Sequence, residues 1–332
     1  MTSAGLCLPE LGLWLDPRRR QHGPERVFVS HAHADHTGKH REVILTEPTA
    51  RFMRVRLGGQ RVEHRLPLGE RRPFAHGGRE YHITLLPAGH ILGSAMSWVQ
   101  TQAGSLLYTG DFKPGPSLSA EPCDATPAHG CDTLIMESTF GRPQFCFPPA
   151  RQVLEEIVEF CRAGLAVGET CLLLAYSLGK SQELLCGLAG AGLPLAVHSQ
   201  ARKLMAIYTD AGRQFPAYDA LDADTARGKV LICPPNLART KLIQRLAPLR
   251  SAVITGWAVE TRCRFRYGTD AAFPLSDHAD FGELVAFVKQ VAPRQVYTVH
   301  GFAVDFARTL RDLGFDAQAL GQAEQLDLKL AS

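Results

Sequence analysis

The chain has 332 residues, 45% of them apolar, and a formal net charge of +3. That length allows one large or two ordinary domains, and the composition is that of a globular protein with a sizeable core. No apolar run is long enough to cross a bilayer, which excludes a transmembrane helix, and the charge is too small to demand a polyanionic partner. The opening residues lack a basic segment followed by an apolar one, so no secretory signal is expected. Nine cysteines, odd in number and without a C-x-x-C pair, argue against a disulfide framework or a zinc ribbon. They fit a reducing compartment, and the expected location is cytoplasmic, away from membranes.

Residues 1 to about 141 read as mostly strands joined by Gly/Pro-rich turns, with little helical periodicity. The apolar run Val27-Phe28-Val29-Ser30 leads into His31-Ala32-His33-Ala34-Asp35-His36. Three imidazoles and a carboxylate are rarely gathered this tightly unless a cation offsets their crowding. A solvated histidine-rich loop is the bland alternative, but the chain supplies matching ligands further on. From Arg51 to Glu80 there are eight arginines against three glutamates, either a phosphate-facing surface or an ordinary solvated face. Then strand-like runs repeatedly end on a metal-competent residue. Ile83–Leu86 precedes Pro87-Ala88-Gly89-His90, Leu106–Thr109 precedes Gly110-Asp111, and Leu134–Met136 precedes Glu137. If such strands pack in sheets, their carboxyl ends can converge at one edge, where sites on layered α/β proteins usually sit.

The character changes near Pro148-Pro149. Val153, Leu154, Ile157, Val158 and Cys161 sit at helical spacing, with Gly164 as the expected stop. Cys171–Ala175 reads as a buried strand and Gly179–Leu188 as a helix, with Ser177 as its expected N-cap. Gly179-Lys180-Ser181 is not a P-loop, because Leu174 stands where that motif requires glycine. Leu195–Val197 and Val230–Ile232 are further strands, and the alternation predicts a small α/β unit with a parallel sheet. Arg262, Arg264 and Arg266 alternate with Cys263, Phe265 and Tyr267; on a strand that period puts all three guanidinium groups on one face. Their place shortly before His278 makes them candidates for nucleic-acid contact. After about residue 276 the first pattern returns, with a helix over Leu284–Val291, a strand running into His300 and a helix over Phe306–Leu313. A first domain interrupted by an α/β insertion fits this order better than two successive domains.

His31-x-His33-x-Asp35-His36, then His90, Asp111 and His300, resemble the metal motifs of the metallo-β-lactamase superfamily. Glu137–Gly141, Ser276–Phe281 and Val299-His300-Gly301 resemble the three extra motifs of its β-CASP nucleic-acid branch. The resemblance covers nearly the whole chain. The short insertion and the phrases Glu137–Arg142 and Leu275–Phe281 look most like the bacterial DNA-ligase-associated exonucleases. This implies an α/β fold: an αββα sandwich from residues 1–141 and 277–332, with a small α/β β-CASP domain, residues 142–276, inserted as a lid over the substrate cleft. It also implies two divalent ions, Zn²⁺ with Mn²⁺ tolerated. The first would take His31, His33, His90 and Asp111, and the second Asp35, His36, Asp111 and His300, with Asp111 bridging. Such a pair of cations can activate water and clamp a phosphodiester. By the same resemblance His278, oriented by Glu137, gives a proton to the leaving 3′-oxygen. Asp16, in Leu15-Asp16-Pro17, would hold a ligand histidine and not a metal. Residue by residue, the local alternatives are core histidines at 90 and 300, a plain turn at Asp111, and helix capping by Glu137 or His278.

The implied function is a two-metal nuclease hydrolysing DNA, an exonuclease in repair, with a DNA ligase or helicase as partner. RNA is the alternative substrate, because histidine at the third extra motif is commoner among RNA-processing members and this chain has His300. Against that, the chain ends soon after Leu330, without the further C-terminal domain of several such relatives. A small-molecule metallohydrolase shares the ligands but has no insertion between positions like Asp111 and His300. A catalytically dead binding subunit would have lost ligands that are all present here.

Overall fold

The computed structural model describes residues 5–321. Two compact units are present: one is built from the chain up to Phe145 and again from His278, the other is Cys146–Asp277.

The first unit opens with β1 (Leu6–Leu8), β2 (Leu13–Leu15), β3 (Arg26–Phe28) and β4 (Glu42–Leu45). Helix α1 (Glu47–Leu57) and β5 (Val62–Arg65) follow, then β6 (Arg71–His76), β7 (Arg79–Pro87), β8 (Ala95–Gln100), β9 (Ser105–Tyr108) and β10 (Thr133–Glu137). The second unit holds α2 (Ala150–Ala166), β11 (Thr170–Leu174), α3 (Lys180–Gly187), β12 (Leu195–Val197), α4 (Ser199–Asp210), β13 (Asp219–Ala220) and β14 (Val230–Cys233). It continues with α5 (Lys241–Gln244), β15 (Leu249–Ile254), α6 (Cys263–Tyr267) and β16 (Ala271–Phe273). Back in the first unit come α7 (Phe281–Val291), β17 (Gln295–Val299), α8 (Ala303–Asp312) and β18 (Ala317–Ala319).

In the first unit, one sheet has the order β1-β2-β3-β4-β5 and the other β18-β17-β10-β9-β8-β7-β6. Strand alternation sets which side chains enter which layer. Leu107, Leu134 and Val296 stand abreast on β9, β10 and β17 and join Leu284, Phe287 and Val288 of α7 in one core. Their neighbours Tyr108, Ile135 and Tyr297 point the other way, into a core shared with Leu13, Phe28 and Ile44 of the first sheet. The two sheets therefore pack face to face.

The same register places the chemistry. β9, β10 and β17 run parallel, so the residues after Tyr108, at Glu137 and after Val299 leave the sheet at one edge. β7 and β9 are both antiparallel to β8, so His90 emerges at that edge too. In the first sheet β2 and β3 are parallel, with Leu15 opposite Phe28, which brings Asp16 alongside Val29-Ser30-His31.

The second unit is a six-stranded parallel sheet of order β13-β12-β14-β11-β15-β16, with apolar cores on both faces. α2, α3 and α4 cover one face and α5 and α6 the other, which is why its strands read as unbroken apolar runs.

Four local expectations are corrected. The strand-rich opening contains α1, whose N-cap Thr46 accepts from the Thr49 amide and whose buried face is Thr49, Ala50, Phe52 and Met53; interleaved arginines mask that stripe. Gly164 does not stop α2, which runs on to Ala166. A Cβ there would lie 2.7 Å from Cys171 Sγ, so the glycine lets the helix approach β11. Ser177 does not cap α3; Gly179 is the cap, its amide bonded to Gln182 Oε1 at 2.8 Å. Residues 263–267 are helical, so Arg262, Arg264 and Arg266 are not a one-faced strand stripe. Five of the eight arginines in the Arg51–Glu80 cluster meet carboxylates: Arg54 and Arg61 on Glu63, Arg65 on Glu47 and Glu63, Arg72 on Glu70 and Arg79 on Glu10. No helix among the described residues is long and apolar enough to cross a membrane.

Candidate metal centre

His31, His33, His90 and Asp111 converge, with one potential ligand atom from each within 4.8 Å of all the others. His33 Nδ1 is 3.1 Å from His31 Nε2 and 3.1 Å from His90 Nε2. Asp111 Oδ2 is 3.5 Å from His31 Nε2 and 3.9 Å from His90 Nε2. Zinc bonds of about 2.0–2.1 Å in a tetrahedron put ligand atoms roughly 3.3 Å apart. The observed spacings bracket that value, so the residues fit a divalent cation. Burial holds the His31 pKa well below its ordinary value, aided by the other imidazoles, which keeps the ring neutral and able to ligate.

His36 faces Asp111 from the other side. Its Nε2 is 3.3 Å from Asp111 Oδ2 and 3.7 Å from Asp35 Oδ2. The ring of His300 lies 5.8 Å from that of His36, centroid to centroid. Asp35 and His300 are thus more loosely placed than the first group; the Asp35 side chain is 59% exposed.

Asp16 organises both groups. Its carboxylate accepts from Ser30 N at 2.7 Å, from the Ser30 hydroxyl, from Tyr108 OH at 3.0 Å and from His36 Nδ1 at 2.8 Å. The Ser30 hydroxyl gives its proton to Asp16, so it accepts from His31 Nδ1, 2.9 Å away. Both histidines therefore turn a bare Nε2 toward the centre once a cation arrives. Gly110 makes room for this relay: at φ 55° its Cβ would sit 2.5 Å from Ser30 Cβ. Ser30 and Tyr108 were not singled out in the sequence; the signal was a polar residue at the buried end of an apolar strand. Asp16→Ala is expected to weaken metal binding by about 10–100-fold, since this carboxylate sets ligand orientation. Competition with a chromogenic chelator would measure it, and unchanged affinity would remove Asp16 from this role.

Burial opposes charge on His36, but the carboxylates of Asp111 and Asp16 hold its pKa well above the ordinary value. A cation at Nε2 must displace that proton, so metal uptake near neutral pH is expected to release protons and tighten as pH rises. In the metal-free protein the sign is reversed. The stabilisation from charged His36 is complete below the ordinary histidine pKa and is lost as pH climbs through the raised folded value. Calorimetric titration in two buffers of different ionisation enthalpy reads the proton count; a count of zero would contradict the assignment.

Glu137 is 1% exposed and takes the Phe112 amide on Oε1 at 2.9 Å and the Thr139 hydroxyl on Oε2. Both oxygens also face His278 Nδ1, at 2.9 and 3.1 Å. The His278 ring lies 4.6 Å from that of His90. Helix α7 is capped by Asp280, so His278 is not its cap, and no helix starts at Ser138-Thr139 for Glu137 to cap. Ser138, also unremarked in the sequence, donates to the carbonyls of Val299 at 3.0 Å and His300 at 2.7 Å. It thereby supports His300 at the unusual φ of 60°.

A histidine–aspartate cluster at the carboxyl ends of strands, in a face-to-face pair of sheets, defines a metallo-hydrolase centre. Residues 271–320 match a family model described as the Zn-dependent metallo-hydrolase RNA specificity domain. The "Probable DNA ligase" of Opitutus terrae is 48% identical over 331 residues, 99% of this chain and 32% of the relative. The "5' exonuclease Apollo" of Gallus gallus is 29% identical over 320 residues, 91% of this chain and 64% of the relative. The chain thus spans about a third and just under two thirds of these relatives. A crystal structure of a protein of unknown function from Enterococcus faecalis V583 superposes with a TM-score of 0.63. It covers 92% of this chain and 83% of that one at 13% identity, a likeness of fold. These likenesses support the metallo-β-lactamase superfamily and its β-CASP branch, and the αββα sandwich with its parallel-sheet insertion agrees with them.

Proposed function

We propose that the protein is a metal-dependent nuclease that hydrolyses phosphodiester bonds of DNA, acting as an exonuclease in repair alongside a DNA ligase. The observation that carries this is the Glu137–His278 pair beside the histidine–aspartate cluster. A leaving sugar oxygen needs a proton, and an imidazole fixed at Nδ1 by a carboxylate offers one from Nε2. His31, His33, His90 and Asp111 would hold one divalent ion, Zn²⁺ or Mn²⁺, and Asp35, His36, Asp111 and His300 a second; such ions would supply Lewis acidity for water activation and phosphate neutralisation.

DNA is favoured by the names of the Opitutus terrae and Gallus gallus relatives. RNA is the second reading, favoured by the description of the family model over residues 271–320. The test is cleavage of matched DNA and RNA oligonucleotides, labelled in turn at each end, with added Zn²⁺ or Mn²⁺. Shortening of DNA supports the reading, and the product ladder gives the polarity. Cleavage of RNA alone moves the protein to RNA processing, and cleavage of neither returns a small-molecule substrate to first place.

Arg262, Arg264 and Arg266 remain candidates for phosphate contact, since all three are exposed. Arg266 also meets Glu260 at 3.4 Å, and the Arg264 guanidinium lies 4.6 Å from the Phe265 ring centre. Replacing all three by Gln is expected to weaken DNA binding and to flatten its log–log salt slope by about one for each phosphate left without its arginine. An unchanged slope would dismiss them.

A further inference from the structure

The turn between β11 and α3 contains the Gly179-Lys180-Ser181 sequence, and its polar groups are turned inward. Gln182 Nε2 donates to Ser177 O at 3.0 Å, and Ser181 Oγ donates to Tyr176 O at 2.7 Å. Lys180 is the cation of this turn, yet its side chain is 2% exposed, with Nζ 2.8 Å from Asp277 Oδ1. The Asp277 side chain is 14% exposed.

Two effects oppose a lysine here. Burial strips its hydration, and it occupies the first position of α3, where the helix dipole presents positive charge. The Asp277 carboxylate offsets both. An apolar side chain of similar volume would fill the space at less cost, so stability alone is a poor account of this pair.

What the pair does accomplish is to fix Asp277, which one peptide bond joins to His278. Residues 274–280 are neither helix nor strand, so no backbone ladder holds this stretch. Its anchors include Leu275 N on Phe273 O at 2.9 Å, Ala279 N on Phe112 O at 2.8 Å, and the Lys180–Asp277 pair. Glu137 orients the His278 ring, while the residues on either side set where its backbone starts.

We propose that Lys180, through its buried ion pair with Asp277, is a positioning residue for His278. The inference rests on His278 being the proton donor of the function above. The test compares wild type, Lys180→Met and His278→Ala on two substrates with metal present. One is a DNA oligonucleotide, whose alkoxide leaving group needs a proton. The other is bis(p-nitrophenyl) phosphate, whose nitrophenolate leaves without one.

His278→Ala should lose the oligonucleotide reaction and largely spare the nitrophenyl ester. Lys180→Met should show the same pattern more weakly, with kcat on the oligonucleotide down about 10–100-fold and KM little changed, the cost expected of a misplaced group. The swapped pair Lys180→Asp/Asp277→Lys, which puts the anion at the helix N-terminus, should regain part of that loss. If Lys180→Met fails to fold because it orphans Asp277, the double variant Lys180→Met/Asp277→Asn carries no buried charge and gives the same readout.

Equal loss on both substrates, or no loss on either, would overturn the positioning role while His278→Ala still shows its selective defect. If His278→Ala itself slows both substrates alike, the proton-donor reading fails and takes this inference with it.

Discussion

Asp111→Asn is expected to yield a folded protein that retains little metal and cleaves its nucleic-acid substrate at least about 10²–10³-fold more slowly, as for loss of a central electrostatic group. Asp111 supplies the carboxylate of the four-residue cluster and also faces His36. Burial opposes its charge, yet the imidazoles of His36 and His278 hold its carboxyl well below the usual range, so it is an anion at working pH. Asn matches its shape but removes the charge and one of two oxygens. Three imidazoles would then face a cation with no anion to offset it, and the two groups of ligands would lose the atom they share. Metal content and rate, measured on the same preparation, check this. Two bound metals and a rate within tenfold of wild type would show that Asp111 does not link the groups.

His278→Ala should leave metal content unchanged and reduce the oligonucleotide rate by about 10²–10⁴-fold, the range for loss of a positioned general acid. The buried Glu137 carboxylate is itself held by the Phe112 amide and the Thr139 hydroxyl, so it cannot swing away from Nδ1. That leaves Nε2 as the nitrogen able to exchange a proton with substrate. The contrast with Asp111→Asn is diagnostic, because one variant loses metal and the other keeps it. A His278→Ala rate within threefold of wild type would mean that solvent water protonates the leaving group well enough.

Much of the site was legible because its residues sit at strand ends. A short apolar run bounded by turn residues declares a buried strand and its carboxyl end, so the runs before His31, His90, Asp111, Glu137 and His300 could be read one at a time. The sequence was less informative where amphipathic patterns were short or interrupted. Arg51, Arg54 and Arg56 hid α1, and six alternating residues at 262–267 fitted a strand as well as the single helical turn they form. Gly164 read as a stop because a glycine's use for close helix–strand approach depends on a partner, Cys171, that local pattern does not reveal.

By itself, then, the sequence determined the candidate ligand types, their order and the strands that deliver them, because those depend on side-chain chemistry and local pattern. Only the tertiary structure decided how they are held. The relay from Asp16 through Ser30 to His31, the support of His300 by Ser138 and the pairing of Lys180 with Asp277 each join residues on separate elements. Such contacts depend on register and burial in three dimensions. A buried hydrogen bond or ion pair leaves no periodic trace in the chain that forms it.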